Sequence, residues 1–424
     1  MSAGTGFQVG EIVRGDVCFY EIDQTIKTDI IYKGRRVAKG TLRRALDLPP
    51  KITDKGEFAT IKCPVGDKSQ FENEHSMYKL PFIRDCRWIR AHIDSVPNRN
   101  STAAEPQLPR AMVYEWMDNT LSDVDSLSLG IDSNFPQQVA REVLRALEVF
   151  HGNGWIHGDV HVKNIFLSNM GEPDQVIKLG DLGHSMSANL EAAPDNRPQG
   201  TRYRAPEMWK GSIPSPKLDI WGLGVTLTNW LARGNIFGLP ESPKGLLAGI
   251  NKDAFIIAKI IRLRGDIELT LGPHHAVMLE GHAMAKGNYT IPGNGQGINA
   301  RMGTRTLREE LESLQTPLDP RCIEFLEYLL NVDPDQRPTA TEALQHPWLQ
   351  GVAESPAVNQ QSSETAHGQQ QGTPPERGDS RKSATQTVGE DQQRAQGHDE
   401  QPAPERQRED GRGRKINVPQ CRCS

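Results

Sequence analysis

Apolar residues recur at helical spacing in the second half of the chain. After Asn134-Phe135-Pro136, which supplies a cap and a proline for the first turn, they stand at i, i+4, i+8 and i+11: Val139, Val143, Leu147 and Phe150. This spacing predicts a buried helix that leads directly into residues 156–167. A second apolar helix is predicted from four large residues: Leu218, Trp221, Val225 and Trp230.

In the first third of the chain the apolar pattern has a period of two, which is typical of strands. Tyr20, Ile22 and Ile26 alternate with polar residues, so residues 19–26 are predicted to form a half-buried strand. Residues 27–29 would form a short turn, and residues 30–34 a second strand. An alternative places the first strand and turn at residues 10–17, but it leaves a longer insertion before the next element.

Beyond Leu349 the apolar pattern stops, because Gln, Gly, Pro, Ser, Glu and Arg dominate residues 351–424. Such a segment buries too little apolar surface to fold, so we expect a disordered polar tail that is a candidate tether for partner proteins. The formal charge of −5 gives no whole-chain case for binding nucleic acid, and no run of about 18 apolar residues indicates a membrane span.

The six cysteines show no metal-type cluster in the folded part, and no secretory leader precedes them. A reducing compartment is therefore expected, cytoplasmic and/or nuclear.

Two short motifs carry the chemistry. Residues 156–167 contain an H-x-D-x-x-x-x-N element, and the D-x-G of Asp181 follows. Phosphoryl transfer needs this set: Asp159 would orient an attacking hydroxyl and accept its proton, while Asn164 and Asp181 would supply oxygen ligands for Mg²⁺. The pattern predicts use of ATP and Mg²⁺.

Three further elements follow in order: Gly200 to Glu207, which ends in A-P-E, the D-x-W-x-x-G of residues 219–224, and Arg337 within residues 333–339. With them the chain resembles a eukaryotic protein kinase over residues 20–350. The resemblance implies an α+β, bilobal fold with a small β-rich N-lobe (about 20–115) and a large, mainly helical C-lobe (about 118–350). Residues 1–19 would be a lead-in.

The resemblance also implies structural roles in the C-lobe. Glu207 would pair with Arg337, and Asp219 would hydrogen-bond the backbone of the catalytic loop. Thr201 would shape the loop that docks the substrate, and His157 and Leu182 would support the two motifs from within. A buried guanidinium and carboxylate must be paired, because either alone is costly to desolvate.

For the N-lobe, the resemblance implies that Lys62 of Phe58-Ala59-Thr60-Ile61-Lys62 contacts the α- and β-phosphates of ATP and pairs with Glu74 on the next helix. Ala59 is the expected nucleotide contact on that strand. Lys39 and Glu72 are the alternative pair. The loop at residues 35–56 is read as a basic insertion.

Residues 111–118 resemble the strand and hinge that bind adenine through main-chain groups. Tyr114 would be the gatekeeper, and Glu115 and Met117 the hinge contacts. The G-x-G-x-x-G turn typical of kinases is missing, although Ile26 on the first strand is still expected near the nucleotide. Cover over the phosphates is therefore expected to be poorer than usual.

Two residues in the catalytic loop depart from the family pattern. Gly158 stands where many kinases have Arg, which disfavours control by a phosphate on the activation loop. His161 stands where Ser/Thr kinases place a Lys that steadies the γ-phosphate. An imidazole carries less reliable charge, although the nearby Lys163 is a candidate substitute.

The long stretch at about 234–314 is similar to the insertion of the CMGC group, and the non-Arg residue before Asp159 resembles its SR-protein kinase branch, in the degenerate filamentous-fungal form. The expected function is phosphorylation of Ser or Thr in proteins. Two alternatives stay open: a catalytically impaired pseudokinase scaffold, and a small-molecule phosphotransferase, whose H-G-D-x-H-x-x-N motif residues 157–164 also match.

Overall fold

The computed structural model describes residues 6–28, 30–37, 57–66, 68–98, 108–125, 134–188, 198–239, 250–287 and 305–350. All of them belong to the first of two compact units, Met1–Gln360. The basic loop (beyond Val37), Lys39 and the polar tail lie outside the described residues.

The N-terminal part is a six-stranded antiparallel sheet. Two helices lie between its fourth and fifth strands in the sequence. The strands are β1 Ile12–Arg14, β2 Phe19–Lys27, β3 Ile31–Val37, β4 Phe58–Lys62, β5 His92–Val96 and β6 Ala111–Glu115, in the spatial order β1-β2-β3-β4-β6-β5. The inserted helices are α1 Ser69–Met77 and α2 Pro81–Arg84.

One face of this sheet is buried because alternate residues of β2, β3 and β4 point the same way. Tyr20, Ile22, Tyr32 and Ile61 pack there together with Val113. Gly34 permits the close contact of β3 and β4, since a Cβ at this position would lie 2.7 Å from the Ile61 Cδ1 atom.

The preferred strand placement agrees with the structure within a few residues, with two differences. The alternation fails after Ile22, where the pairing register of β2 and β3 shifts. Ile26 is therefore 50 % exposed and does not join Tyr20 and Ile22 on the buried face. The lead-in also takes part in the sheet, because β1 pairs with β2 and Val13 and Phe7 join the core.

The C-terminal part is mainly helical. Its helices are α3 Phe135–Gly152, α4 Pro206–Trp209, α5 Lys217–Leu231, α6 Lys252–Arg264, α7 His275–Ala285, α8 Leu307–Glu312, α9 Pro320–Leu329 and α10 Ala340–Leu344. Five short strands form two small sheets: β7 Asn119–Thr120, β8 Trp155–Ile156, β9 Ile165–Ser168, β10 Val176–Leu179 and β11 Met186–Ser187. Single 3₁₀ turns lie at Leu121–Asp123, Leu182–His184, Thr201–Tyr203 and Pro347–Leu349.

The two helices predicted from apolar spacing are present as α3 and α5, and both are buried on most of their length. Helix α3 begins at Phe135 with Pro136 in its first turn, and it packs against β10 and α10. This packing fixes the position of α3, which precedes the catalytic loop, the H-x-D-x-x-x-x-N element.

The arrangement confirms the expected α+β, bilobal fold, with a β-rich N-terminal part and a helical C-terminal part. The domain limits and the insertion at 234–314 stay predictions; α6, α7 and α8 lie in the described parts of that insertion. Within the described ranges, no helix has both the length and the apolar character that crossing a bilayer requires.

Candidate active site

The strand lysine and the helix glutamate meet between the two parts of the fold. Lys62 Nζ lies 2.7 Å from Glu74 Oε2 and 3.0 Å from Asp181 Oδ1. Burial acts to lower the pKa of Lys62, but the charges of Glu74 and Asp181 outweigh it and raise that pKa. Lys62 is therefore a fixed ammonium at the mouth of the cleft, next to the carboxylate predicted to bind Mg²⁺.

Helix α1 determines which glutamate reaches the lysine. Glu74 is buried with Phe71 and Met77 on its inner face, whereas the alternative Glu72 is exposed. On the same helix, the Asn73 side-chain amide donates to the carbonyl oxygens of Gly183 (3.0 Å) and Ser185 (2.7 Å). The helix thereby holds the segment that begins with Asp181.

Asp159 lies in the catalytic loop with its carboxylate hydrogen-bonded. Asn164 Nδ2 donates to the Asp159 carbonyl oxygen at 2.9 Å and to its Oδ2 at 3.2 Å. Burial acts to raise the pKa of Asp159, but the hydrogen bond from His161 and the neighbouring histidines lower it overall. The carboxylate is thus kept in the ionised form that a proton acceptor needs.

The two predicted metal ligands converge. The Gly180 N–H donates to the Asn164 carbonyl oxygen at 2.9 Å, which brings Asp181 beside Asn164. The Asn164 side-chain oxygen has no hydrogen-bond partner among the described residues, and Asp181 offers a carboxylate. Amide and carboxylate oxygens are the ligands that Mg²⁺ prefers, so this donor set fits the ion.

Asp181 has a backbone conformation that is rare for a residue with a side chain, with φ of 59° and ψ of 78°. Strain of this kind persists where the surrounding contacts enforce it, and it is common at functional sites. Here Lys62 and the adjoining Leu182, which is fully buried, supply those contacts.

His161 is engaged with the catalytic aspartate. Its Nδ1 accepts the Lys163 backbone N–H at 3.2 Å, and its Nε2 lies 3.2 Å from Asp159 Oδ2. The ring is therefore held from both sides, by the loop backbone and by the carboxylate of Asp159. The ring also packs on Tyr203, with centroids 5.6 Å apart. Lys163 is exposed beside it.

Asp219 organises the catalytic loop as predicted. Its carboxylate accepts the backbone N–H groups of His157 and Gly158, each at 2.8 Å, and it is fully buried. The buried His157 ring lies 3.2 Å from the Gly180 carbonyl oxygen, and burial lowers its pKa. The loop is thus tied both to α5 and to the D-x-G segment.

Gly158 has a positive φ of 77°, and a Cβ at this position would lie 2.6 Å from the His184 carbonyl oxygen. Any side chain at residue 158 would collide with the start of the activation segment. The glycine is therefore required by the backbone.

The Glu207–Arg337 pair is present, with the Arg337 guanidinium donating to both carboxylate oxygens at 2.7 and 3.0 Å. Both side chains are buried. Thr201 lies in the 3₁₀ turn next to Tyr203, and its hydroxyl has no hydrogen-bond partner in the described part of the chain. Its role in substrate docking stays a prediction.

One predicted nucleotide contact needs correction. Ala59 packs in the sheet core with Ile61, on the face of β4 opposite to Lys62. Successive strand residues point to opposite faces, so Thr60 is the residue that shares the face of Lys62. Ile26 is exposed on β2, and its contact with a nucleotide stays a prediction.

The hinge strand is β6, with the gatekeeper Tyr114 buried at its end. Glu115 differs from expectation, because its carbonyl oxygen accepts hydrogen bonds from the Arg90 side chain at 2.9 and 3.2 Å. Met117 fits better, since its backbone forms no hydrogen bond with other described residues.

Sequence reasoning missed Thr60, Arg90 and Phe166. Strict period-two alternation from Lys62 would have identified Thr60, and counting two residues from Asn164 along β9 would have identified Phe166. No local signal marks Arg90, which lies in a stretch where charged and apolar residues are mixed.

Together, a lysine paired with a buried glutamate and two further carboxylates converge between the two parts of the fold, an arrangement that suits phosphoryl transfer. Comparison with known proteins agrees: the family described as "Protein kinase domain" matches residues 99–349. The chain belongs to the protein kinase family.

Two relatives come from the CMGC group. Human "Cyclin-dependent kinase-like 2" is 26% identical over 248 residues, which cover 57% of this chain and 44% of that protein. "Cyclin-dependent kinase 12" of Caenorhabditis elegans is 26% identical over 332 residues, covering 75% and 40%. The chain thus spans less than half the length of these relatives. The SR-protein kinase branch stays a prediction.

A solved structure shares the fold. The crystal structure of the yeast RNA Pol II CTD kinase CTDK-1 complex contains a chain with a TM-score of 0.53 and 20% identity, and the match covers 80% of this chain and 94% of that one. At this identity the likeness concerns the fold alone.

Proposed function

We propose that this protein is an ATP- and Mg²⁺-dependent protein kinase that phosphorylates Ser and Thr hydroxyls of protein substrates. The observation that carries the proposal is the position of Lys62 between Glu74 and Asp181, at 2.7 and 3.0 Å. This arrangement is the one that aligns the phosphates of a bound nucleotide.

Each residue of the candidate site would have a separate role in phosphoryl transfer. Lys62 would bind the α- and β-phosphates, with Glu74 holding its ammonium in place. Asn164 and Asp181 would hold Mg²⁺, which supplies neutralisation of phosphate charge when it is bound. Asp159 would orient the substrate hydroxyl and accept its proton, and the ionised state of its carboxylate suits this role.

The C-lobe favours a protein substrate over a small alcohol. Glu207–Arg337 and Asp219 support a segment next to the catalytic loop on which a peptide would dock. Small-molecule phosphotransferases with an H-G-D-x-H motif lack these elements. A nuclear or cytoplasmic location, and partner proteins bound through the tail, belong to the same proposal.

A second candidate is a kinase-fold scaffold without turnover. It is favoured by the hydrogen bonds between Arg90 and the hinge carbonyl of Glu115, and by His161, which stands in place of a lysine and lies 3.2 Å from Asp159 Oδ2. In this case the fold would bind partners and the carboxylates would serve only its structure.

Radiolabelled Mg-ATP with generic acceptor proteins separates the two candidates. We expect Asp159→Asn to lower phosphate incorporation about 10² to 10⁴-fold, the range for loss of a general base. The control is Asp16→Asn, which changes an exposed aspartate far along the chain from the site and should leave incorporation unchanged. Equal incorporation by Asp159→Asn and the wild type would remove the enzymatic proposal.

A further inference from the structure

Arg90 is fixed beside the catalytic motifs by its backbone. Its N–H donates to the Leu179 carbonyl oxygen at 2.8 Å, and Ile89 forms an isolated bridge with Leu179. Leu179 is separated from Asp181 by Gly180 alone. The Arg90 side chain therefore starts from the rear of the cleft and extends toward the hinge.

The guanidinium is enclosed by three groups. It donates to the Thr60 hydroxyl and to the Glu115 carbonyl oxygen, and its Cζ lies 4.2 Å from the centroid of the Phe166 ring. Arg90 is only 8% exposed. A planar cation thus lies over an aromatic ring and bonds to the hinge.

These three groups mark where a nucleotide base would lie. Thr60 lies two residues before Lys62 on the same face of β4, and Phe166 lies two residues after Asn164 on β9. Glu115 is the hinge residue. A nucleotide whose phosphates contact Lys62 and Asp181, and whose base reaches the hinge, has to pass between Thr60 and Phe166.

We propose that the Arg90 guanidinium occupies the inner part of the base site and that a purine nucleotide must displace it to bind. The proposal rests on the proposed function, because it takes the Lys62 cleft to be a nucleotide site. It assigns to Arg90 control over how much the base contributes to affinity.

The charges around Arg90 explain why it can be displaced. The Glu115 carboxylate is bound instead by Lys178 at 2.7 Å and by the Ala91 N–H at 2.7 Å. No carboxylate of the described residues forms an ion pair with the guanidinium, so only neutral oxygens and aromatic rings hold it. A buried cation without a counter-ion is costly, and it gains hydration when it swings out.

Gly180 makes room for this arrangement. A Cβ there would lie 2.8 Å from the Phe166 ring and 3.1 Å from the Arg90 Cβ. A larger residue would push the ring and the arginine away from each other.

The test measures binding of Mg-ATP and of Mg-tripolyphosphate, which lacks a base, to wild type and Arg90→Leu by calorimetry. If the open site is populated about one-tenth of the time, Arg90→Leu binds Mg-ATP about tenfold more tightly, because apparent affinity scales with that fraction. Tripolyphosphate affinity should stay equal. Arg84→Leu, at an exposed arginine on α2, is the matched control and should change neither.

Wild type alone provides a second measurement, so the idea does not depend on the variant folding. Its Mg-ATP affinity should exceed its tripolyphosphate affinity by no more than about threefold. The proposal is overturned if wild type already prefers Mg-ATP by more than about threefold, or if Arg90→Leu binds it no better. If Arg90→Leu binds Mg-ATP tightly, and neither it nor the wild type incorporates more phosphate than Asp159→Asn, this proposal is supported and the enzymatic one is removed.

Discussion

Two buried arginines show how differently one chain uses the same side chain. In the C-lobe, Arg337 forms a bidentate pair with Glu207 and also donates to the carbonyl oxygens of Asn331 and Lys217. In the cleft, Arg90 has no carboxylate partner among the described residues and lies against Phe166 and Tyr114. Each guanidinium also lies near an aromatic ring, Trp221 in the case of Arg337.

The difference in partners indicates that buried Arg337 has a structural role and buried Arg90 a functional one. Arg337 is neutralised and fully satisfied, so it stabilises the C-lobe. Burial lowers the pKa of Arg90, which shows that its surroundings disfavour the charge that it carries. A residue retained in such surroundings is best explained by what it does in the cleft.

The largest expected effect is at the C-lobe pair. Arg337→Met leaves the buried Glu207 without a counter-ion, and such a change costs about 3–5 kcal/mol of the free energy of unfolding. Urea unfolding followed by fluorescence measures it. The double variant Glu207→Leu/Arg337→Met should recover part of the loss, since it removes the orphaned charge. If Arg337→Met lowers the free energy of unfolding by less than about 1 kcal/mol, which is the range of exposed ion pairs, Arg337 is not the structural residue that the comparison with Arg90 requires.

A smaller effect is expected from crowding the cleft. Gly180→Ala places a methyl group against Phe166 and the Arg90 stem, and overpacking of this kind costs about 1–3 kcal/mol. Gly171→Ala is not a suitable control because of its positive φ, whereas Gly152→Ala is, since a Cβ there meets no atom within 4 Å. Equal stability of Gly180→Ala and wild type would show that Arg90 and the Phe166 ring are not tightly packed around Gly180.

The pH dependence of folding stability tests the surroundings of Tyr114, which Arg90 also contacts. His92 contacts Tyr78 and Tyr114, and burial, with the nearby His75, lowers its pKa to about 4. Below pH 6.5 the unfolded chain would bind a proton that the folded chain does not. The free energy of unfolding should therefore fall by up to about 3 kcal/mol from about pH 6.5 to about pH 4, and His92→Phe should flatten this fall. Identical slopes would show that His92 titrates normally.

The smallest expected effect is at Arg90 itself. Arg90→Leu removes a cation without a counter-ion, so unfolding free energy should stay within about 1 kcal/mol of the wild type or rise. The same unfolding assay measures it beside Arg337→Met. A loss comparable to that of Arg337→Met would mean that Arg90 is structural, and the comparison would fail.

The sequence predicts the phosphate end of the site well, because its residues are fixed by spacing within single loops and helices. Asp159, Asn164 and Asp181 follow from one motif and its successor, and Lys62 with Glu74 follows from their order along the chain. The error at Ala59 was avoidable, since period-two alternation from Lys62 selects Thr60.

The base end could not be predicted in this way. The place of Arg90 depends on a bridge to Leu179 and on the missing Cβ of Gly180, which are distant in sequence. The strand β1 was predicted only in the alternative placement at residues 10–17, because three residues carry too little pattern to predict an edge strand. Its pairing with β2 decides its conformation.

The close approach of Gly158 to the His184 carbonyl has a final consequence. Beyond the ion pair of Asp181 with Lys62, main-chain contacts and the Asn73 amide, which are neutral groups, hold the described part of the segment that follows. Neutral contacts respond little to ionic strength or to the addition of a phosphoryl group. We therefore expect salt and added phosphate to leave the position of residues 182–188 nearly unchanged.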